Sequence, residues 1–228
     1  MKNRGNNVRV DSGLNRYMAR IYGYMALGLG VTAFVAYLPQ LMSFHAQRTF
    51  YSLSSLSWIG SFGIAIYFSA SLQRMRVQTA QVLFWVYSVL MGVSLSTLFR
   101  LYHIHSIAQT FMITSFMFAG MSLYGHMTKR DLSGLGSFAM MGLWGVILAS
   151  VVNIFLGSAG IDFVLSVAGV VIFTSLIAYD VQALQSMYYA MPHQDGIRDK
   201  MSILGALRLY MDVINLFVSL LRLTGDRK

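Results

Sequence analysis

A chain of 228 residues that is 56% hydrophobic and only 11% charged cannot clothe a water-soluble globule, which carries about 25% charged residues. Its 8 acidic residues are all Asp, Pro occurs twice and Cys is absent, which excludes disulfides and thiolate metal sites and lets long stretches run as unbroken helix. A net charge of +9 would suit a nucleic-acid surface in a soluble protein, but here the charges cluster between apolar runs and read as a positive-inside pattern facing anionic lipid, with no nucleic-acid partner.

Apolar runs near the ~20 residues needed to cross hydrocarbon occur at 17–38, 54–72, 79–99, 106–127, 135–157, 160–189 and 201–223. They are continuous rather than alternating, which excludes a transmembrane β-barrel. The sequence therefore predicts an all-α polytopic membrane protein with a basic cytoplasmic segment at 1–16, one seven-helix domain at 17–223 and a tail at 224–228. The first run is too long for the apolar region of a signal peptide and is followed by no cleavage site, so it is expected to stay attached.

Lys2, Arg4, Arg9, Arg16 and Arg20 precede or open span one, and Arg74 with Arg76, Lys129 with Arg130, and Arg198 with Lys200 occupy alternate connections. The other connections hold only Arg48 and Arg100. The rule that basic loops stay inside places the N-terminus and the even-to-odd loops in the cytoplasm, with seven crossings leaving the C-terminus outside. Arg222, Arg227 and Lys228 oppose that rule. Small residues within the spans (Ala26 and Gly30, Ala65 and Ser69, Gly60, Gly63, Gly142, Gly145) are expected to let helix backbones approach. Trp85 and Trp144 read as bundle filling and Trp58 as an interfacial anchor.

Asp11, Asp131, Asp162, Asp195, Asp199 and Asp226 lie in loops or near termini, whereas Asp180 and Asp212 fall inside spans six and seven. A charged residue at the centre of a spanning helix costs about 2.5–3.5 kcal/mol on insertion scales, so two in one small bundle point to a use. Gly196 lies midway between them, in the polar turn around His193 to Gly196. Each Asp is then expected roughly 16 Å from the inner helix ends, so the two carboxyls could meet. A pair in contact within low dielectric would share a proton near neutrality or bind a hard cation such as Ca²⁺, with backbone carbonyls, water, Asn215 or Gln182 completing the shell. The alternative is that each Asp pairs separately, for example with Arg208 one turn before Asp212. Arg74, at the inner end of span two, is the natural third member.

The segments Ala178-Tyr-Asp-Val-Gln182, Leu209-Tyr-Met-Asp-Val-Ile-Asn-Leu-Phe217 and Leu220-Leu-Arg222 resemble the paired C-terminal motifs of the Bax inhibitor-1 family, the transmembrane Bax inhibitor motif proteins. A looser similarity runs from about residue 20 to 223 and includes the Lys129-Arg-Asp-Leu132 loop. The resemblance implies six helices wrapped around a central C-terminal helix. It also implies a pH-sensitive Ca²⁺ leak with Asp180 and Asp212 as sensor and Arg74 as the latch that engages them when closed. The longer connection between spans six and seven and the many basic residues before span one depart from the family pattern.

His103 and His105 form an HxH without nearby carboxylates, and no phosphate loop, HExxH helix or nucleophile elbow appears, so no enzyme and no bound cofactor is expected. The leading expectation is a passive cation leak in a bacterial inner membrane, its partners being the bilayer, calcium ions and protons. A regulator of a membrane-bound protease complex and a proton-coupled transporter are the alternatives.

Overall fold

The computed structural model describes the backbone of residues 4–71, 75–190 and 195–228, and the side chains within them except at 4–11, 55, 69–71 and 195. Seven long helices follow in order: α1 (Arg4–Tyr37), α2 (Phe44–Ser71), α3 (Val77–Leu101), α4 (Ile104–Met127), α5 (Ser133–Leu156), α6 (Ala159–Ala190) and α7 (Asp195–Thr224). Each matches one of the seven apolar runs to within a residue or so at its end. Among the described residues the only extended pairing is an isolated bridge between Tyr102 and Arg227. Six stretches are long and apolar enough to cross a membrane, in α1 and in α3 to α7, and α2 contributes an apolar stretch at Leu56–Phe68. The chain is thus a polytopic all-α membrane protein.

Local chemistry sets the breaks. Pro39 fixes its own φ and crowds Leu38 before it, so α1 stops at Tyr37 and the chain passes through a short 3-10 turn, Leu38–Leu41. Between α5 and α6 the turn is made by Gly157, whose φ of +61° suits a residue without Cβ, and its N–H donates to Asn153 O at 2.8 Å. The Asn153 side chain accepts from the Ser158 N–H at 3.0 Å, satisfying a further amide at this sharp corner.

The chain divides into two compact units, Met1–Leu101 with Gln185–Tyr210, and Tyr102–Leu184 with Met211–Lys228. In the first, α1 and α3 cross closely at Gly92, where an added Cβ would lie 2.7 Å from Val35 Cβ and 2.8 Å from Thr32 O. Thr32 donates to Ser88 O at 2.8 Å and shares a hydrogen bond with the buried Tyr210 hydroxyl at 2.5 Å, so this crossing carries an internally satisfied polar cluster. In the second unit, Ala139 of α5, Ile172, Phe173, Leu176 and Ile177 of α6, and Leu216 and Leu220 of α7 form the apolar core.

Burial is uneven. In the apolar window of α7, 67% of residues are buried, against 6% in α5 and 22–39% in the other spans. The most enclosed of these spans is thus the last one. Two readings from sequence are corrected. Trp144 does not fill the bundle but projects outward, 66% exposed. Gly30, Gly63 and Gly145 have no atom within reach of an added Cβ, whereas Gly60 and Gly142 do meet neighbours, at Leu90 and Ile172, and tighter approaches fall at Gly92, Gly125, Gly136 and Gly169. Sequence marks a small residue but not which way its helix is turned.

Candidate functional site

Asp180 and Asp212 are both buried, at 8% and 6% exposure, and both belong to the second unit. Their orientation follows from the packing of α6 on α7. Gly169 of α6 sits so close to Ser219 of α7 that an added Cβ would overlap the Ser219 hydroxyl. At 100° per residue, Phe173, Leu176 and Asp180 lie on the same side of α6 as Gly169, and Leu216 and Asp212 lie on the same side of α7 as Ser219. Phe173, Leu176 and Leu216 are core residues, so these are the faces that α6 and α7 turn toward one another.

Followed along undistorted helices, Asp180 lies about three turns from the Gly169–Ser219 contact and Asp212 about two turns, both in the same direction, so their levels differ by about one turn, ~5 Å. The two acids therefore project from mutually facing sides of α6 and α7 at adjoining levels, rather than at the equal depth that the midpoint at Gly196 suggests.

The back of this α6 segment is held firmly. The Ala178 carbonyl presses on Gly125 of α4, where any Cβ would overlap it. The Tyr179 ring lies on Gly136 of α5, with an added Cβ only 2.5 Å from its carbons. Gln182 binds the loop between α4 and α5: its side-chain oxygen accepts the Leu132 N–H at 2.9 Å and its NH₂ donates to Arg130 O at 2.8 Å. Its amide thus satisfies two backbone groups of the loop between α4 and α5. Asn215 donates back to Met211 O of its own helix at 2.8 Å.

Arg208 lies on α7 within the first unit. Arg74 and the turn at 191–194 lie outside the described residues. His103 and His105 are both exposed, and among the described residues no group of three His, Cys, Asp or Glu side chains converges to hold a metal ion. Calcium takes 6–8 oxygen ligands, so two carboxylates fit a transient or competing cation better than a resident one.

A second constellation in the same unit was not foreseen. Asp162, in the first turn of α6, faces Arg222 at 3.6 Å and Arg227 at 3.5 Å. Arg227 also lies over the Tyr102 ring, 5.8 Å from its centroid. The His103 N–H donates to Asp226 O at 3.1 Å and the Asp226 N–H donates to Ser106 Oγ at 2.9 Å. The tail after α7 is therefore strapped to the α3–α4 corner, and the two arginines that oppose the positive-inside rule have a local carboxylate for company.

Fold and site together define an α-helical polytopic membrane protein with acidic groups enclosed between its last two helices. Residues 14–228 match the family described as inhibitor of apoptosis-promoting Bax1, and the chain belongs to this Bax inhibitor-1 family. It is 45% identical to RP147 of Rickettsia prowazekii, across 97% of this chain and 94% of that protein. It is 42% identical to a protein of Borreliella burgdorferi, across 94% and 93%, and 42% identical to the inner membrane protein YbhL of Escherichia coli, across 97% and 96%.

Proposed function

We propose that this chain is a passive cation leak, with Ca²⁺ as the permeant ion, controlled by the protonation of Asp180 and Asp212. The observation that supports the reading is the enclosure of two acids on the facing sides of α6 and α7 in a largely apolar core. Ionised carboxylates in low dielectric repel one another, so a shared proton or a passing divalent cation relieves the same strain, and the two compete. Deprotonation supplies the charge that attracts a hard cation; protonation removes it. An ion held by few ligands leaves readily, which suits passage rather than storage. Arg74 is the proposed latch on the acids.

The same proposal places the protein in a bacterial inner membrane, as the printed name of the YbhL relative suggests, with its N-terminus cytoplasmic according to the distribution of Lys and Arg. The test is Ca²⁺ flux into proteoliposomes as a function of pH. Wild type is expected to show flux that changes steeply with pH, and the Asp180→Asn, Asp212→Asn double variant to lose that dependence. Flux that is identical and pH-independent in both proteins rejects the sensor. Loss of all flux, together with co-purification of a membrane protease complex, would favour the regulatory alternative, and uphill uptake driven by a proton gradient would favour a transporter.

A further inference from the structure

We propose that Gln182 is a positioning residue for the acidic pair: by locking the α4–α5 loop to α6, it makes α4, α5 and the Asp180 segment one block and holds Asp180 in place. Relative to Asp180, Ala178 and Gln182 lie about 160–200° around α6, on its back, and Tyr179 lies about 100° to one side. Each of the three is engaged. Ala178 and Tyr179 meet glycines that leave no room for displacement, at Gly125 and Gly136, and Gln182 spans the loop with two hydrogen bonds, to Arg130 O at 2.8 Å and from Leu132 N at 2.9 Å.

Gln182 spends a donor and an acceptor on two backbone groups, and Leu132 is the residue on which α5 begins. Removing the amide would free both ends at once, because the peptide groups it satisfies belong to a single short connection. On α7, by contrast, Asn215 and Ser219 direct their side chains to carbonyls of their own helix, at 2.8 Å each. Leu216 and Leu220 meet α6 through apolar contact, and the polar ties of this end of α7 run through Asp162 and the tail. The titratable and charged groups nearest this stretch in sequence on the elements packed against it are Tyr124 and His126 on α4, Lys129, Arg130 and Asp131 in the loop, and Arg208, Tyr210 and Asp212 on α7. A loose loop would let its two cations shift relative to Asp180, so the proton affinity of Asp180 depends on the lock.

This inference takes its functional meaning from the proposed leak, but its test does not require flux. Gln182→Met keeps the side-chain volume and removes both hydrogen-bonding groups, and Gln182→Glu keeps an acceptor for Leu132. In lipid nanodiscs, amide exchange at Leu132 and the infrared titration of the Asp180 carboxyl, identified by its loss in Asp180→Asn, are compared among the three proteins. Expected for Gln182→Met are Leu132 exchange about tenfold faster and an Asp180 midpoint displaced by about half a pH unit or more, with slow Leu132 exchange retained in Gln182→Glu. Fast exchange with an unmoved Asp180 midpoint overturns the inference and leaves Gln182 as a cap of α5. Unchanged exchange in Gln182→Met overturns the lock itself. Absence of Ca²⁺ flux in wild type would sink the leak alone, since the infrared midpoint decides the positioning role without it.

Discussion

At the scale of single residues, capping and placement decide behaviour more than charge count does. Asp131 is fully exposed, yet the Ser133 hydroxyl and N–H both donate to its carboxylate, at 2.5 and 2.9 Å, and hold it below the usual range for Asp. A group whose folded affinity for protons is lowered adds stability above its unfolded pKa and loses it as pH falls through the folded value. The Ser133 amide is therefore expected to exchange more slowly than its intrinsic rate between about pH 5 and 7 and to lose that protection only below about pH 4, as the carboxylate protonates. Residue-level reading from sequence identified Asp180 and Asp212 because an acid inside an apolar run is conspicuous. It assigned Gln182 to the acidic pair and overlooked the loop, since the partners of its amide are backbone atoms some 50 residues earlier in the chain, and no side-chain pattern announces a backbone partner. Arg74 carries the proposed latch role from resemblance alone.

At the scale of helices, the sequence located each element because an apolar run of spanning length is a one-dimensional signal. Helix rotation is not, and the consequences appear in the glycines. Gly125 and Gly136 seat α6 on α4 and α5, whereas Gly145 faces open space. Gly125→Ala and Gly136→Ala are each expected to cost about 1–3 kcal/mol through overpacking against backbone and a rigid ring, read as a lowered melting temperature in detergent. Gly145→Ala should match wild type or slightly exceed it, because Ala loses less backbone freedom in a helix. Equal melting temperatures for all three variants would contradict the seating of α6 described above. The facing of Asp180 and Asp212 belongs to this scale too, because it emerged only once the Gly169–Ser219 contact fixed how α6 and α7 are turned.

For the molecule as a whole, most charge sits at helix ends and the densest burial in one helix. Asp162 joins the tail to the start of α6 through Arg222 and Arg227, with all three side chains partly exposed. Exposed pairs contribute about 0.2–1 kcal/mol each, so Asp162→Asn is expected to lower stability by under about 2 kcal/mol at low salt. The difference should shrink in 1 M salt, where screening acts within about 3 Å. Thermal unfolding at two salt concentrations checks this, and a deficit that persists in high salt would point to a packing role instead. Sequence reading treated Asp162 as a solvated loop residue and the terminal arginines as exceptions to a topology rule. Their meeting requires the chain to return to the α3–α4 corner, a long-range event that local patterns do not encode.

α5 is anchored at one end by Gly136 and the loop lock, yet only 6% of its apolar window is buried, and Met141, Trp144 and Leu148 stand 74%, 66% and 64% exposed. Since the chain has no cysteine, one introduced at Met141 gives a single reactive handle on a lipid-facing wall. A fluorophore or spin probe attached there would report how the hairpin leans while leaving the melting temperature within about 2 °C of wild type.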